Sequence, residues 1–286
     1  MKYFLFTLVL GQLVTGMQIK NYLNESLSNL DTSVNAPAYD PTHKAVYASF
    51  HNESQGKGRY FRIINGYKEA LFIRSGNFKA TATLFDENNL YFANLDDRKI
   101  YKATKQGAGQ YDSAEVYCDF SELSTQQVAG LALTKSGAIF GATKDGILFS
   151  CDGTDKPKII LSHLGDLNHF VMDEAKDSLF YAQDKNVFEL SVYNDQASFY
   201  APITANVPEV QKVVSILPIK NDKILVIGEG SNKIFLYTKL GILVETIDAS
   251  FFELKHLVFS EKDGSKVWVL GNNSGSSKLL VDEITL

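Results

Sequence analysis

Hydrophobic and polar residues alternate along this chain in short runs that are separated by polar turns. In residues 82–104 the runs ATLF, LYFANL and KIYKAT are divided by the turns DENN and DDR. Short apolar runs bounded by Asp and Asn are typical of β-strands that are joined by tight turns. The pattern therefore predicts an all-β chain.

The middle run of this stretch recurs along the sequence. It appears from Val46 (VYASF), Leu90 (LYFAN), Ile139 (IFGAT), Leu179 (LFYAQ), Ile224 (ILVIG) and Val267 (VWVLG). Successive starts lie 44, 49, 40, 45 and 43 residues apart. A repeat of about 40 to 50 residues with several short strands in each unit is typical of a β-propeller, whose blades stack around an axis. We predict a single six-bladed β-propeller domain over residues 17–286.

The last repeat has only three of the four expected strands, ELKHLVFS, KVWVLGN and KLLVDEITL. The segment IKNYLNES at residues 19–26 has strand character but belongs to no repeat. An added strand would cover the edge that the incomplete sheet leaves unpaired. We expect this N-terminal strand to close the last blade.

The first sixteen residues predict a signal peptide. Lys2 precedes an apolar run of about a dozen residues, which is too short to cross a bilayer as a helix. Residues 1–16 would be removed, and the mature chain would be secreted, extracellular and outside the membrane. Three N-x-S sequons, at Asn24, Asn52 and Asn272, predict a glycoprotein.

The charge of the chain excludes two classes of partner. The formal net charge is −5, and removal of Lys2 with the signal peptide makes it −6. No basic patch is present, so nucleic acid and anionic membranes are not expected as partners. A protein partner remains possible.

We place the candidate ligand site at one mouth of the central channel, where the inner strands begin. Polar residues open these strands in all six repeats: Asn35, Lys79, Gln127, His169, Lys212 and His256. Four phenylalanines flank the ring: Phe50, Phe78, Phe170 and Phe251. Such a ring could hold a flat, partly anionic molecule, with cations for its charge and aromatic rings for stacking. The alternative is that the polar residues only hydrate a narrow channel.

Motifs for catalysis, metals or cofactors are not found. The five histidines show neither H-x-x-x-H nor H-E-x-x-H spacing, and there is no G-x-S-x-G elbow and no phosphate-binding glycine loop. We therefore predict no catalytic residue, no metal ligand and no cofactor. The lone Trp268 is expected in the core.

Cys118 and Cys151 are the only cysteines, and two cysteines in a secreted protein suggest a disulfide. Strand positions argue against it. Cys118 lies late in an outer strand and Cys151 at the end of a third strand, which should place them on opposite rims, roughly 17–20 Å apart. A disulfide needs Cα atoms within about 7 Å. The pairing is left open, with the geometry against it.

The layout resembles the six-bladed family of gluconolactonases, regucalcin and strictosidine synthase. In its metal-dependent members a Glu-Gly-Pro segment on the first inner strand supplies a cation ligand. This chain has Asn35-Ala36-Pro37 in the matching place; Pro37 and the following Tyr39-Asp40 fit the pattern, but the ligand does not. The resemblance implies the fold, and the departure argues against a metal-dependent activity.

A compact secreted propeller without catalytic ligands is also similar to the insect ommochrome-binding proteins, which are haemolymph carriers of a tryptophan-derived pigment. That resemblance implies a non-catalytic carrier of a pigment or another small aromatic molecule. Two alternatives remain: a metal-dependent lactonase or esterase-like hydrolase, and an extracellular protein-interaction platform.

Overall fold

The computed structural model describes ten main parts of the chain, with short gaps between them. They are residues 18–25, 34–40, 42–52, 57–73 except 65, 66 and 71, 78–107, 110–173 except 155, 178–199 except 194 and 195, 205–249, 251–259 except 252, and 264–286 except 273–278. The predicted signal peptide lies outside these residues. Within them, no helix is long and apolar enough to cross a membrane.

The strands of the N-terminal half form the first three sheets. The described part of the chain begins with β1 (Gln18–Glu25). The first sheet contains β2 (Val34–Asp40), β3 (Ala45–Asn52), β4 (Lys57–Ile64) and β5 (Tyr67–Ala70). The second contains β6 (Phe72–Ile73), β7 (Ala80–Phe85), β8 (Asn89–Asn94), β9 (Lys99–Gly107), β10 (Gln110–Tyr111) and β11 (Glu115–Asp119). The third contains β12 (Val128–Leu133), β13 (Ile139–Thr143), β14 (Leu148–Cys151) and β15 (Lys158–Leu161).

The C-terminal half forms the other three sheets. The fourth contains β16 (His169–Asp173), β17 (Ser178–Gln183), β18 (Asn186–Tyr193), β19 (Gln196–Phe199) and β20 (Ala205–Asn206). The fifth contains β21 (Lys212–Ile219), β22 (Lys223–Glu229), β23 (Lys233–Thr238) and β24 (Leu243–Asp248). The sixth contains β25 (Glu253–Phe259), β26 (Lys266–Asn272) and β27 (Leu279–Thr285), and β1 pairs with β27 at its edge.

The described sheets are arranged in a ring. The inner strands β2, β7, β12, β16, β21 and β25 pack against one another in that order, and β25 packs against β2. The prediction of an all-β propeller is confirmed. The predicted closure by the N-terminal strand is also confirmed, because β1 and β27 pair antiparallel from Gln18 opposite Thr285 to Glu25 opposite Leu279.

The hydrophobic core lies between neighbouring sheets. The second strands β13, β17, β22 and β26 are buried along almost their whole length because they pack on both faces. One cluster, for example, joins Leu225 and Ile227 of the fifth sheet to Leu254 and Val269 of the sixth. Trp268 is buried as predicted, and its indole Nε1–H donates to Glu283 Oε2 at 3.1 Å.

A buried polar cluster joins the first two sheets at the end opposite the inner-strand starts. The side chain of Asp40 is fully buried, and its Oδ2 lies 2.6 Å from Nδ1 of His43 and 3.3 Å from Nζ of Lys105. The hydroxyl of Tyr111 donates to the same oxygen at 3.4 Å. Asp40 is therefore a structural residue that binds partners from both sheets.

The two cysteines form a disulfide, and the expectation that they lie too far apart is wrong. Their Cα atoms are 6.0 Å apart, and the bond joins the outer strand of the second sheet to the third strand of the third sheet. The expected separation of roughly 17–20 Å between the rims holds only if all strands run parallel to the channel axis. Neighbouring strands in a sheet are rotated by about 20–25°, so three steps turn the outer strand β11 strongly across the axis. Cys118 thereby reaches the core that the second sheet shares with Cys151.

Replacing both cysteines by serine should destabilise the ring. The bond closes a loop with a sequence separation of 33 residues, for which the chain-entropy model gives about 3–4 kcal/mol. Urea unfolding of the Cys118→Ser, Cys151→Ser variant should show this loss. Dithiothreitol should destabilise the wild type by a similar amount and leave the variant unchanged; equal midpoints for both proteins without reductant would contradict the prediction.

Candidate functional site

The candidate site is the mouth of the ring, which we define as the starts of the inner strands and the turns that follow the second strands. Backbone groups join these two parts in several sheets. The Lys144 N–H donates to the carbonyl of Gln127 at 2.8 Å, and the Gln211 N–H donates to the carbonyl of Glu229 at 2.7 Å. In the second sheet the Lys79 N–H donates to Asn94 Oδ1 at 3.0 Å. These bonds fix the backbone on which the mouth side chains stand.

Five of the six inner strands carry a β-bulge near the mouth. The register with the second strand shifts in β2, β7, β12, β21 and β25, whereas β16 pairs regularly. A bulge inserts an extra residue and re-aims its side chain. The bulges therefore give side chains near the mouth directions that differ from those in a regular strand.

The bulge of the first inner strand is strained. Ala36 has a φ of 48°, in the left-handed region that non-glycine residues rarely adopt, and it is buried. It stands where the metal-dependent propellers that the layout resembles have glycine. Strained backbone of this kind is found mainly at functional sites.

The predicted ring residues differ in how they are engaged. Lys79 is partly exposed and its Nζ donates to Asp96 at 3.3 Å. Lys212 is half exposed and its Nζ lies 2.9 Å from Oε2 of Glu229. Gln127 is partly exposed. Asn35 lies opposite Ser49 in the ladder, and its side chain is outside the described part of the structure. Their role in ligand binding stays a prediction.

His169 is used to hold inner strands together. Its Nδ1 accepts the N–H of Ile216 at 3.3 Å, and its Nε2 lies 3.5 Å from Oγ of Ser215. Ser215 Oγ also accepts the N–H of Leu257 at 3.1 Å. These bonds connect the fourth, fifth and sixth inner strands. Burial, together with the nearby His256, lowers the pKa of His169 to about 3, so its imidazole is neutral.

The contact of His169 with Ser215 is not that of a base and a nucleophile. Because Nδ1 accepts a backbone N–H, the proton of the neutral ring is on Nε2, which therefore donates towards the serine oxygen. A base would need a free lone pair at that nitrogen. Ser215, which the sequence did not single out, is fully buried and serves with His169 as a hydrogen-bonded link.

Lys144 is a mouth residue outside the predicted ligand ring. Its turn follows β13, and its carbonyl accepts the N–H of Leu167 at 2.7 Å. Gly146 in the same turn has a φ of +87°, and a Cβ there would lie 2.5 Å from the carbonyl oxygen of Gly165. The turn is therefore held closely against the segment that leads to the fourth sheet.

The Lys144 ammonium is within electrostatic range of Lys212, which comes from a different sheet. Loss of hydration and the charge of Lys212 both lower the pKa of Lys144. In the described part of the chain no carboxylate forms an ion pair with Lys144. The turn sequence Thr143–Gly146 does not indicate that its lysine interacts with Lys212, which lies ~68 residues further along the chain.

A cleft of about 880 Å³ opens beside Lys212, between the fifth and sixth sheets. It is lined by Gln211, Lys212, Val214, residues 228–233 and residues 253–255. Apolar groups are supplied by Val214 and Leu254, while lysines and glutamates surround them. Its size is within the range of about 300–1,000 Å³ that is usual for small-molecule sites.

The predicted aromatic flank is wrong for two of its four members. Phe170 and Phe251 are 2% and 1% exposed, because their side chains point into the cores between sheets. Phe78 is partly buried and packs on Phe92 and Tyr101, with ring centroids 4.7 and 5.1 Å apart. The side chain of Phe50 lies outside the described residues.

The described residues do not present a metal site. Among them, no three His, Cys, Asp or Glu side chains come together in a way that could hold an ion.

The three sequons also remain predictions. Asn24, Asn52 and Asn272 are all in strands, and the Oδ1 atom of Asn272 is buried without a hydrogen bond.

Comparison with solved structures shows related propeller folds. A luciferin-regenerating enzyme is 12% identical, with 95% of this chain and 96% of that chain covered and a TM-score of 0.68. Regucalcin from Agrobacterium tumefaciens, described as a calcium-binding protein, is 10% identical over 88% and 90%, with a TM-score of 0.67. A gluconolactonase from Xanthomonas campestris is 11% identical over 94% and 90%, with a TM-score of 0.69. At these identities the similarity is one of fold.

No family model and no curated protein matches the sequence. The broader resemblance to gluconolactonase- and regucalcin-like propellers is thus supported at the level of fold. The narrower resemblance to insect ommochrome-binding proteins is not supported, because the structural neighbours are of the other kind. No short motif had tied the sequence to that narrower group.

Replacing Ala36 by glycine should stabilise the protein. Glycine adopts positive φ without a Cβ clash, so relief of the strain should outweigh the extra flexibility of the unfolded chain by roughly 1 kcal/mol. The matched control is Ala129→Gly at the bulge of β12, which should lose about 0.5–1 kcal/mol. Thermal unfolding of both variants measures the difference, and a destabilised Ala36→Gly protein would refute the argument.

His169 should make stability fall with acidification. Its pKa of about 3 lies below the value of 6.5 in the unfolded chain, so the unfolded state binds more protons between these values. The stabilisation is complete above about pH 6.5 and is lost as the pH falls towards 3, with a slope of up to about 1.4 kcal/mol per pH unit. His169→Gln should flatten this part of the curve. The exposed control His163→Asn should keep the wild-type slope; identical curves for all three proteins would contradict the assignment.

Proposed function

We propose that this protein is a secreted, non-catalytic binding protein that holds a small organic anion at the mouth of a six-bladed propeller. The observation that carries the proposal is the cleft beside Lys212, at a mouth where a second lysine, Lys144, adds positive charge from a different sheet. Lys144 forms no ion pair in the described part of the chain, and a bound anion would supply its counter-charge. Backbone hydrogen bonds and the close approach at Gly146 hold the turn that carries Lys144.

The adjoining cleft supports a ligand with an apolar body. The anionic group would lie between Lys144 and Lys212, and the rest of the molecule would extend over Val214 and Leu254. An aromatic ring could pack on these two side chains. Because Phe170 and Phe251 are buried, stacking between aromatic rings has a smaller role than the sequence predicted. The neutral, donating tautomer of His169 supports a binding function rather than nucleophilic catalysis.

The disulfide supports secretion, because such bonds persist in oxidising compartments and are rare in the cytosol. The six sheets and the continuous contacts of their inner strands support a count of six blades. A signal peptide over residues 1–16 and glycans on the sequons remain part of the proposal.

The fold similarity to a gluconolactonase favours a second candidate, a lactonase-like hydrolase. Hydrolysis of gluconolactone, measured with and without added Ca²⁺, Zn²⁺ or Mn²⁺ and with chelator, distinguishes the two. Metal-dependent turnover would establish the hydrolase, and its loss in a Lys144→Ala variant would show that the same mouth is used.

Binding of indole-3-propanoate, compared with the neutral indole-3-propanol by calorimetry, tests the carrier proposal. We expect the acid to bind more tightly, with an affinity that falls as salt is added. Lys144→Ala and Lys212→Ala should each lower the affinity for the acid by about tenfold, which corresponds to about 1.4 kcal/mol. Lys158→Ala, at an exposed position on the outer strand β15, is the control and should not change it.

Equal affinity for the acid and the alcohol, or unchanged binding in both mouth variants, would overturn the proposal. Circular dichroism of each variant checks that the fold is retained.

A further inference from the structure

The cleft beside Lys212 contains charges of both signs in ordered pairs. Lys212 Nζ lies 2.9 Å from Glu229 Oε2, and Lys255 Nζ lies 3.6 Å from Glu253 Oε2. The two glutamate side chains remain 52% and 40% exposed, and both line the cleft. Each carboxylate can therefore accept a further donor from a molecule in the cleft.

Two β-bulges, one in the fifth sheet and one in the sixth, contribute side chains to the cleft. The register of β21 shifts between Val213 and Ser215, and that of β25 shifts between Leu254 and His256. The extra residues are Val214 and Lys255, and both line the cleft. The bulges thus add one apolar and one cationic side chain to the same cavity.

Two glycines shape the fifth sheet beside Lys212. A Cβ on Gly228 would lie 2.5 Å from Val210 and 2.7 Å from the carbonyl oxygen of Lys212, and Gly230 has a φ of +81°. Only glycine allows the turn after β22 to approach the start of β21 this closely. The close approach sets Glu229 beside Lys212.

We propose that the ligand carries a protonated amine next to its carboxylate, as an aromatic amino acid does. The carboxylate binds Lys212, and the ammonium group binds Glu229 and Glu253, which line the same cleft. This inference rests on the proposed function and adds the ligand class to it.

The reason is an exchange of ion pairs. A ligand with only a carboxylate has to compete with Glu229 for Lys212. A ligand with an amine supplies Glu229 with a new cation, so Lys212 can turn to the carboxylate without leaving a charge unpaired. Charge complementarity of this kind gives specificity for the zwitterion over either single ion.

Calorimetric titration of the full protein with three indole compounds tests the inference. L-tryptophan carries both charges, indole-3-propanoate only the acid, and tryptamine only the amine. We expect tryptophan to bind about tenfold more tightly than the acid, and tryptamine to bind weakest.

Glu229→Gln should reduce the difference in affinity between tryptophan and the acid. The variant frees Lys212, so indole-3-propanoate should bind more tightly than to the wild type, while tryptophan loses its advantage. Glu253→Gln should weaken tryptophan and leave the acid unchanged. Glu245→Gln, on the outer strand β24, is the matched control and should affect neither ligand.

The outcomes separate the two proposals. If the acid and tryptophan bind equally and both depend on Lys144, the zwitterion inference fails and the anion site stands. If neither compound binds, both proposals fail.

Discussion

No sheet of this protein can bury both of its faces without its neighbours, and the structure depends on that constraint. The second strands are apolar on both sides, so each needs a sheet on either flank. A ring satisfies all the described sheets at once. The ring also needs its last sheet complete, and the pairing of β1 with β27 supplies the missing strand. The disulfide adds a covalent link between two neighbouring sheets at one point of the ring.

The same arrangement explains which polar residues remain for a ligand. Inner strands have one edge without a neighbouring strand in their own sheet, and their backbone N–H groups need acceptors. His169 and Ser215 provide acceptors for Ile216 and Leu257, so they are used by the fold. The lysines stand at the rim, beyond this layer. This mouth therefore contains two kinds of polar residue: those that hold inner strands together, and those, such as Lys212, that stay partly exposed.

The charged groups of the mouth and the adjoining cleft carry both signs. Lys144 and Lys212 concentrate positive charge from two sheets, whereas Glu229 and Glu253 place negative charge across the adjoining cleft. The bulges and glycines of the fifth and sixth sheets give this cleft its walls. A bound molecule that matches both signs would keep every charge paired, which links the architecture to the proposed ligand class.

The sequence by itself determined the repeats, the strands and the closing role of residues 19–26, because strand periodicity and turn residues are local signals. It also located the mouth, since that follows from strand order. The tertiary structure alone decided that Cys118 meets Cys151, that Phe170 and Phe251 turn into the core, and that the charge of Lys212 acts on Lys144. These outcomes depend on the accumulated twist of each sheet and on contacts between sheets, and no local pattern of residues encodes them.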